Sequence, residues 1–522
     1  MRTPTLFASF LKRPTAFWLS FWATAAVGFG AVLRLVQYSS NRSLWFDEVA
    51  LILNLQERGY AELLKALDYN QAAPPLFLWI EKLAFESLGN HEYAFRLFPL
   101  IGGLVSLLLF YQLTKRWASG WARPVALLLF AVQGYIVYFA TETKPYSWDV
   151  AIGIALFMVT VSLGVIRPSW QQIALAAGLG ATGIFLSFPS VLMMAGVEAA
   201  NIVKLGLWRA SWQTVAAFLQ RRLVLYGTWI GSFLCLYFGT IRETLTETGL
   251  SDSWSGRYPG SWFDIVWVLD SLGRFFYRPL GFPSPADGVA IFVFITGLVY
   301  LYRAQRLRLL YLVSPLVANL GAAYLHKYPF RERLSLFLVP YGLVILAEGI
   351  VFWLSRWEKR PRLLGIVSAI VAVALLLMPL QRAIQDLLQP QRLFFDHVRP
   401  GLEYVSQQWQ PGDKLYVLPG ARMQFAYYQS RFRFPPADTV VSDLWEVGIK
   451  GLDSDDLEEY RQELAQLKQG PLFNQSRVWV VIARKRTNAE DTMVQLLGQL
   501  GKPLERKQYP GAMVGLYDFS GS

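Results

Sequence analysis

The chain is divided into apolar runs, many of them reaching the roughly 20 residues that an α-helix needs to cross a bilayer. Length alone, 522 residues, would suggest about three soluble domains, and the apolar runs overrule that reading. By hydropathy the spans fall near residues 15–36, a second ending at Lys115 and Arg116, then 124–139, 147–166, 173–188, 190–203, 223–240, 290–302, 309–325, 334–354 and 363–380, about eleven in all. With 54% hydrophobic and 16% charged residues, the expected class is a mainly α, polytopic membrane protein.

The net charge of +12 is explained by where it sits. Lys115, Arg116 and Arg123 fall in one short loop, and Lys204, Arg209, Arg221 and Arg222 in another. Arg303, Arg306 and Arg308 follow, then Arg356, Lys359, Arg360 and Arg362. These are alternate loops, as the positive-inside rule requires of the cytoplasmic side. Arg2, Lys12 and Arg13 place the N-terminus there too, and an odd number of spans puts the C-terminus outside. The first apolar stretch is too long for a signal-peptide core and is expected to stay as an anchor. Nucleic acid is not an expected partner. Nineteen Trp and 25 Tyr suit interfacial belts in a plasma-membrane protein.

One cysteine, Cys235, excludes an internal disulfide and a Cys-based metal site. The histidines His91, His326 and His397 show no ligand spacing. No metal is expected to be obligatory, although Asp47, Glu48 and Glu142 offer oxygen ligands for a divalent cation.

Between the first two spans lies the first outer loop, 38–92, with the adjacent acids Asp47 and Glu48. Residues 47–59 and 60–67 read as short amphipathic helices at the membrane interface. Pro74 and Pro75 set the start of a further apolar helix running to about residue 88. Two outer loops carry positive charge against the topological bias: 141–146, with Lys144, and 326–333, with Lys327, Arg331 and Arg333. An anionic ligand is the simplest reason. The outer loop 241–287 is expected to hold re-entrant or interfacial helices. Residues 1–380 form the membrane domain, and the polar residues 381–522 a C-terminal soluble α/β domain. In that domain 415–418 and 478–482 read as strands, and 455–467 as an amphipathic helix.

Several motifs, in order, carry a resemblance. WFDE at 45–48, NQAAPPLFLW at 70–79, HEYAFRLFPLIGG at 91–103 and ETKPYSWD at 142–149 are followed by HKYPFRERLSLFLVP at 326–340. The chain resembles the GT-C glycosyltransferases, and within them the bacterial members of family 39, the protein O-mannosyltransferase and aminoarabinose-transferase group. Lys144 stands where that family commonly has Arg, and the tail segment 399–428 resembles the soluble tail of some bacterial relatives.

The resemblance implies transfer of a sugar from a polyprenyl-phosphate donor to a protein, lipid or polysaccharide acceptor on the extracytoplasmic face. Asp47 is then the candidate general base of an inverting transfer, and Glu48 orients the acceptor or binds a cation. Both acids also suit plain capping of the helix they begin. Lys144, Lys327, Tyr328, Arg331 and Arg333 are candidates for the donor phosphate, with Arg331 and Arg333 equally placed. Anchoring to anionic membrane lipids is the bland reading of the same residues. Glu142, Tyr146, Arg96 and His326 are candidate supporting residues. Glu142 and Lys144 also read as an interfacial ion pair, Asp149 as a helix cap, and Arg96 as a tie between loop and bundle. Glu198 is an acid inside a span and therefore a functional suspect. The rival classes are a transporter or flippase for lipid-linked sugars and a non-catalytic assembly factor for envelope glycans.

Overall fold

A computed structural model describes residues 15–247, 254, 256–355, 362–432, 434–442, 472, 474–483, 494–499 and 501–520. The expected helix at 455–467 and the basic residues Arg2, Lys12, Arg13, Arg356, Lys359 and Arg360 lie outside the described residues. The chain divides into two compact units: Met1–Ser39 with Leu55–Leu388, and Ser40–Asn54 with Gln389–Ser522.

The first unit is helical: α1 Ala16–Ser39; α3 Pro75–Leu88, α4 Glu92–Trp117, α5 Ala122–Val132 and α6 Gly134–Phe139; α7 Tyr146–Ser162, α8 Trp170–Leu186, α9 Ser190–Leu205 and α10 Trp212–Leu236; α11 Arg242–Glu247 and α12 Ile265–Tyr277; α13 Ala286–Ala304, α14 Arg306–Tyr324, α15 Val339–Ser355 and α16 Arg362–Leu388. α2, Phe46–Glu57, belongs to the second unit as far as Asn54. Among the described residues, seven helical segments are long and apolar enough to cross a membrane, and α5, α7 and α8 are shorter apolar helices. The protein is a multi-pass membrane protein.

Local chemistry sets the helix ends. Pro75 opens α3 at a position whose N–H would have no helical partner anyway. Ser169 and Gln172 close a reciprocal capping box at the start of α8. Packing is closest where side chains vanish: a Cβ on Gly297 would lie 3.1 Å from Gly349 N, so α13 and α15 meet through their backbones.

Three expectations are corrected. The span expected at 124–139 is broken at Gln133, whose extended backbone separates α5 from α6 and whose amide donates to the Leu280 carbonyl. α2 forms where a helix was expected, but Glu48–Leu55 are buried, so it is a core helix and does not lie on an interface. Only a 3₁₀ turn, Glu62–Leu64, occupies the second expected helix. In the loop 241–287 a helix forms, α12. α12 buries Trp267, Ser271 and Phe275 and exposes Ile265, Val266 and Leu269, with the exposed Phe263 just before it.

The second unit adds α17 Arg399–Gln408 and α18 Arg422–Phe432 to a five-stranded sheet: β1 Lys414–Val417, β2 Thr439–Val441, β3 Val478–Ala483, β4 Lys502–Tyr509 and β5 Ala512–Asp518. The order is β2-β1-β3-β5-β4, with β1 parallel to β2 and β3, and β5 antiparallel to β3 and β4. β3 is buried along its whole length, as a central strand in a mixed sheet requires, and its core partners include Tyr416, Met513 and Tyr517.

Candidate active site

In the first unit, two motifs far apart in sequence are sewn together. Ser147 Oγ donates to the Pro99 carbonyl at 2.8 Å and Trp148 Nε1 to the Phe98 carbonyl at 2.9 Å. The Trp148 ring also stacks on Phe98, with centroids 4.7 Å apart. The start of α7 is therefore held on the first turns of α4, and the loop before it, Ala140–Pro145, is fixed from that side. Thr141, Glu142 and Thr143 in this loop are fully buried, and Lys144 nearly so. Lys144 Nζ donates to Gln71 Oε1, and the Gln71 amide donates to the Tyr69 carbonyl at 3.1 Å. Tyr69 and Asn70 both adopt the left-handed region, φ 63° and 52°, which aims Gln71 back at the lysine.

The segment after α14 supplies the other expected group. His326, at φ 53°, stacks on Tyr258 with centroids 4.9 Å apart and donates from Nε2 to the Pro259 carbonyl at 3.2 Å. Lys327 is exposed. Tyr328 Oη donates to the Leu334 carbonyl at 3.2 Å, and burial, then the nearby Asp149, Tyr146 and Tyr258, pushes this hydroxyl well above its ordinary pKa. It is a donor at any physiological pH.

The two arginines separate. Arg331 Nη1 donates to Asp270 Oδ2 at 2.8 Å. Burial alone would raise the Asp270 carboxyl, but Arg274 and Arg331 hold it below the ordinary range. The Arg333 guanidinium instead lies 5.6 Å from the Tyr146 ring centroid. Lys144, Tyr146, Tyr328 and Arg333 are thus the expected donor-site residues built on α7, its preceding loop and the 326–335 segment.

Behind Tyr328 the interior turns polar. The hydroxyls of Ser190 and Ser335 are buried without a hydrogen-bond partner among the described residues, and Ser187 lies in hydrogen-bonding contact with the buried Asp149 carboxyl. Ser335 follows Leu334, which Tyr328 contacts, and Ser187 borders Asp149. Unsatisfied buried hydroxyls are costly in a dry core and suit a polyhydroxylated guest.

The acid pair lies in the second unit. Glu48 is fully buried, and its Oε2 accepts the Trp45 N–H at 3.3 Å, closing the first turn of α2. Asp47 is only partly buried. The capping explanation therefore fits Glu48, while Asp47 is half-buried at the second position of α2.

Other sequence suspects have structural employment. His91 caps α4 by accepting the Ala94 N–H at 3.1 Å, and Arg96 is buried in that helix's second turn. Glu198 meets Arg222 at 2.7 Å, Tyr226 at 2.7 Å and Asn201 at 2.7 Å. Arg34, passed over in the sequence, is fully buried in α1, donating to Gly30 at 2.8 Å and Ala131 at 3.4 Å. Its signal was available: an arginine inside a span. Among the described residues, no three His, Cys, Asp or Glu side chains converge on a metal-binding position, and no step below is routed through a cation.

Comparison with solved structures finds the same architecture. ArnT from Cupriavidus metallidurans, bound to undecaprenyl phosphate, superposes with a TM-score of 0.51 at 13% identity, covering 96% of this chain and 98% of ArnT. The two chains share a fold. The apo form of ArnT gives 0.51 at 12% identity, covering 96% and 97%. An oligosaccharyltransferase from Archaeoglobus fulgidus, in complex with Zn and sulfate, reaches 0.48 at 12% identity over 88% of this chain and 67% of its own. No family model and no curated protein sequence matches the chain. The fold observed is that of ArnT.

Proposed function

We propose that the protein is a membrane-embedded glycosyltransferase that moves a sugar from a polyprenyl-phosphate carrier to an acceptor hydroxyl on the extracytoplasmic face of the plasma membrane. The motifs resemble those of family 39. The observation that carries this reading is the buried Lys144, aimed by Gln71 and neighboured by Tyr146. It occurs in a fold whose solved example binds undecaprenyl phosphate.

In this reading Lys144, Arg333 and the Tyr328 hydroxyl hold the carrier phosphate, and the polar groups around Asp149 receive the sugar hydroxyls. Asp47 takes the proton from the acceptor hydroxyl as its oxygen attacks the anomeric carbon. The bond from that carbon to the phosphate oxygen breaks, and the carrier leaves as a phosphate monoester. Charge grows on the phosphate as it leaves, so cationic donors bind the transition state more tightly than the ground-state diester and lower the barrier. One carboxylate suffices, because the phosphate leaves without an added proton. In-line attack from the opposite face inverts the anomeric centre. Glu48 supports the helix that presents Asp47, and Arg331 holds the 326–335 segment to Asp270.

Binding tests the phosphate assignment. Purified wild type is expected to bind undecaprenyl phosphate, and Lys144→Ala to bind it at least about tenfold more weakly, the loss of one charge-assisted bond. Equal affinity for folded wild type and Lys144→Ala would remove Lys144 from the site.

A further inference from the structure

Asp47 is carried by a segment fastened to the C-terminal part of its own unit by residues some 350 positions away. The Ser43 N–H donates to His397 Nδ1 at 3.2 Å, and Ser43 Oγ lies 2.8 Å from the same nitrogen. The Arg399 N–H donates to Ser43 Oγ at 3.1 Å, while Arg399 Nη2 donates to the Asn41 carbonyl at 2.6 Å. One residue on, the Leu44 N–H donates to the phenol oxygen of Tyr428 at 2.9 Å. The Trp45 ring faces Phe395 with centroids 6.2 Å apart. Main-chain groups at three of the six positions before Asp47 therefore end on tail side chains.

The tail residues are themselves held. The His397 N–H donates to the Pro510 carbonyl at 2.8 Å, and Gly511 turns at φ 67° where a Cβ would come within 2.6 Å of Asp396 N. Tyr428 is fully buried on α18, with Arg431 5.1 Å over its ring. Hydrogen bonds to a rigid support fix the direction in which a chain enters a helix. α2 begins at Phe46, so Asp47, its second residue, inherits that direction.

We infer that His397, Arg399 and Tyr428 are positioning residues for Asp47, and that the C-terminal domain is a working part of the transferase. The domain's task in this reading is to hold the base, which is separate from recruiting an acceptor. The inference rests on Asp47 being the base.

Two measurements on the full-length protein separate the two. Tyr428→Phe keeps the ring and removes the oxygen that receives the Leu44 N–H. His397→Asn keeps an acceptor near the position of Nδ1, and His397→Leu removes it. Hydrogen exchange over 43–49 is expected to speed up in Tyr428→Phe and His397→Leu, and much less in His397→Asn. In the same proteins kcat is expected to fall about tenfold or more with KM for the donor unchanged, because a misplaced base costs rate and leaves ground-state binding intact. His397→Asn recovers most of the rate. When Tyr428→Phe is added to Asp47→Asn, the residual rate is expected to fall no further.

Unchanged exchange in Tyr428→Phe overturns the clamp. Faster exchange with unchanged kcat, or a tenfold loss that persists on top of Asp47→Asn, overturns positioning through Asp47. An Asp47→Asn enzyme with full turnover overturns the base assignment itself, whatever the exchange data show.

Discussion

Arg222 Nε donates to Glu198 Oε1 at 2.7 Å inside the helical unit, with Arg222 fully buried. The pair is completed on every side: Arg222 also donates to the carbonyls of Leu163 and Val165, and Asn201, which donates to Glu198, accepts from Tyr311 at 2.7 Å. The acid that reads in the sequence as a functional suspect instead ties α7, α9, α10 and α14 together.

Breaking that tie on one side leaves a buried charge without its counter-ion. Glu198→Ala is therefore expected to cost about 3–5 kcal/mol of stability. The check is thermal or denaturant unfolding in detergent. Turnover per folded molecule is expected to stay near wild type, and a selective loss of kcat would give Glu198 a role in the chemistry.

Arg331 and Arg333 were indistinguishable by sequence, and the structure sets them apart. Arg331 is engaged by Asp270, whereas Arg333 lies over Tyr146. Donor affinity is expected to drop about tenfold in Arg333→Ala, the order of one charge-assisted contact, and less than about threefold in Arg331→Ala. Equilibrium binding of undecaprenyl phosphate decides the order, and the reverse order would exchange the two roles.

The C-terminal sheet carries an acid-sensitive contact. Burial alone would raise the Asp413 carboxyl, but bonds from Arg477 at 2.7 Å, the Gln410 amide at 3.0 Å and the Trp479 indole at 2.8 Å hold it below the ordinary range. A carboxyl with a lowered folded-state pKa contributes stability that is complete above its unfolded value, near 3.9, and is lost as pH falls through the folded value. The unfolding midpoint of this domain is expected to decline below about pH 4. Arg477→Ala weakens that dependence, which a pH series of melting curves measures.

The buried hydroxyls near Asp149 give a prediction of opposite sign. Ser190→Ala and Ser335→Ala remove groups that have no hydrogen-bond partner among the described residues. They are expected to leave stability unchanged or raise it slightly, since removing an unsatisfied buried group is not penalised. Discrimination between the glycosylated carrier and bare polyprenyl phosphate is expected to weaken. Competition binding with the two lipids measures it.

Much of this was legible in the residues, for local reasons. The spans are stretches of apolar composition, and composition survives without knowledge of neighbours. The NQAAPP and ETKPY stretches could be picked out as loops because Pro and unpaired polarity interrupt apolar runs. That Lys144 reaches Gln71 could not, because 73 residues separate them. The same limit hid the Arg222 partner of Glu198 and the anchoring of Ser43 by His397, a contact across 354 residues. The break at Gln133 also escaped, since the bond that stabilises it ends on a carbonyl 147 residues away. Periodicity reads what a helix does to itself, and these features are made by what another segment does to it.

The most direct test of the central claim is turnover. Purified wild type and Asp47→Asn, shown to be equally folded, would be given a panel of radiolabelled polyprenyl-phosphate sugars with candidate acceptors, and release of polyprenyl phosphate followed. The account predicts that wild type consumes one class of donor and that Asp47→Asn loses the rate by about 10²–10⁴-fold, the usual contribution of a general base. Release at the wild-type rate by folded Asp47→Asn would contradict it.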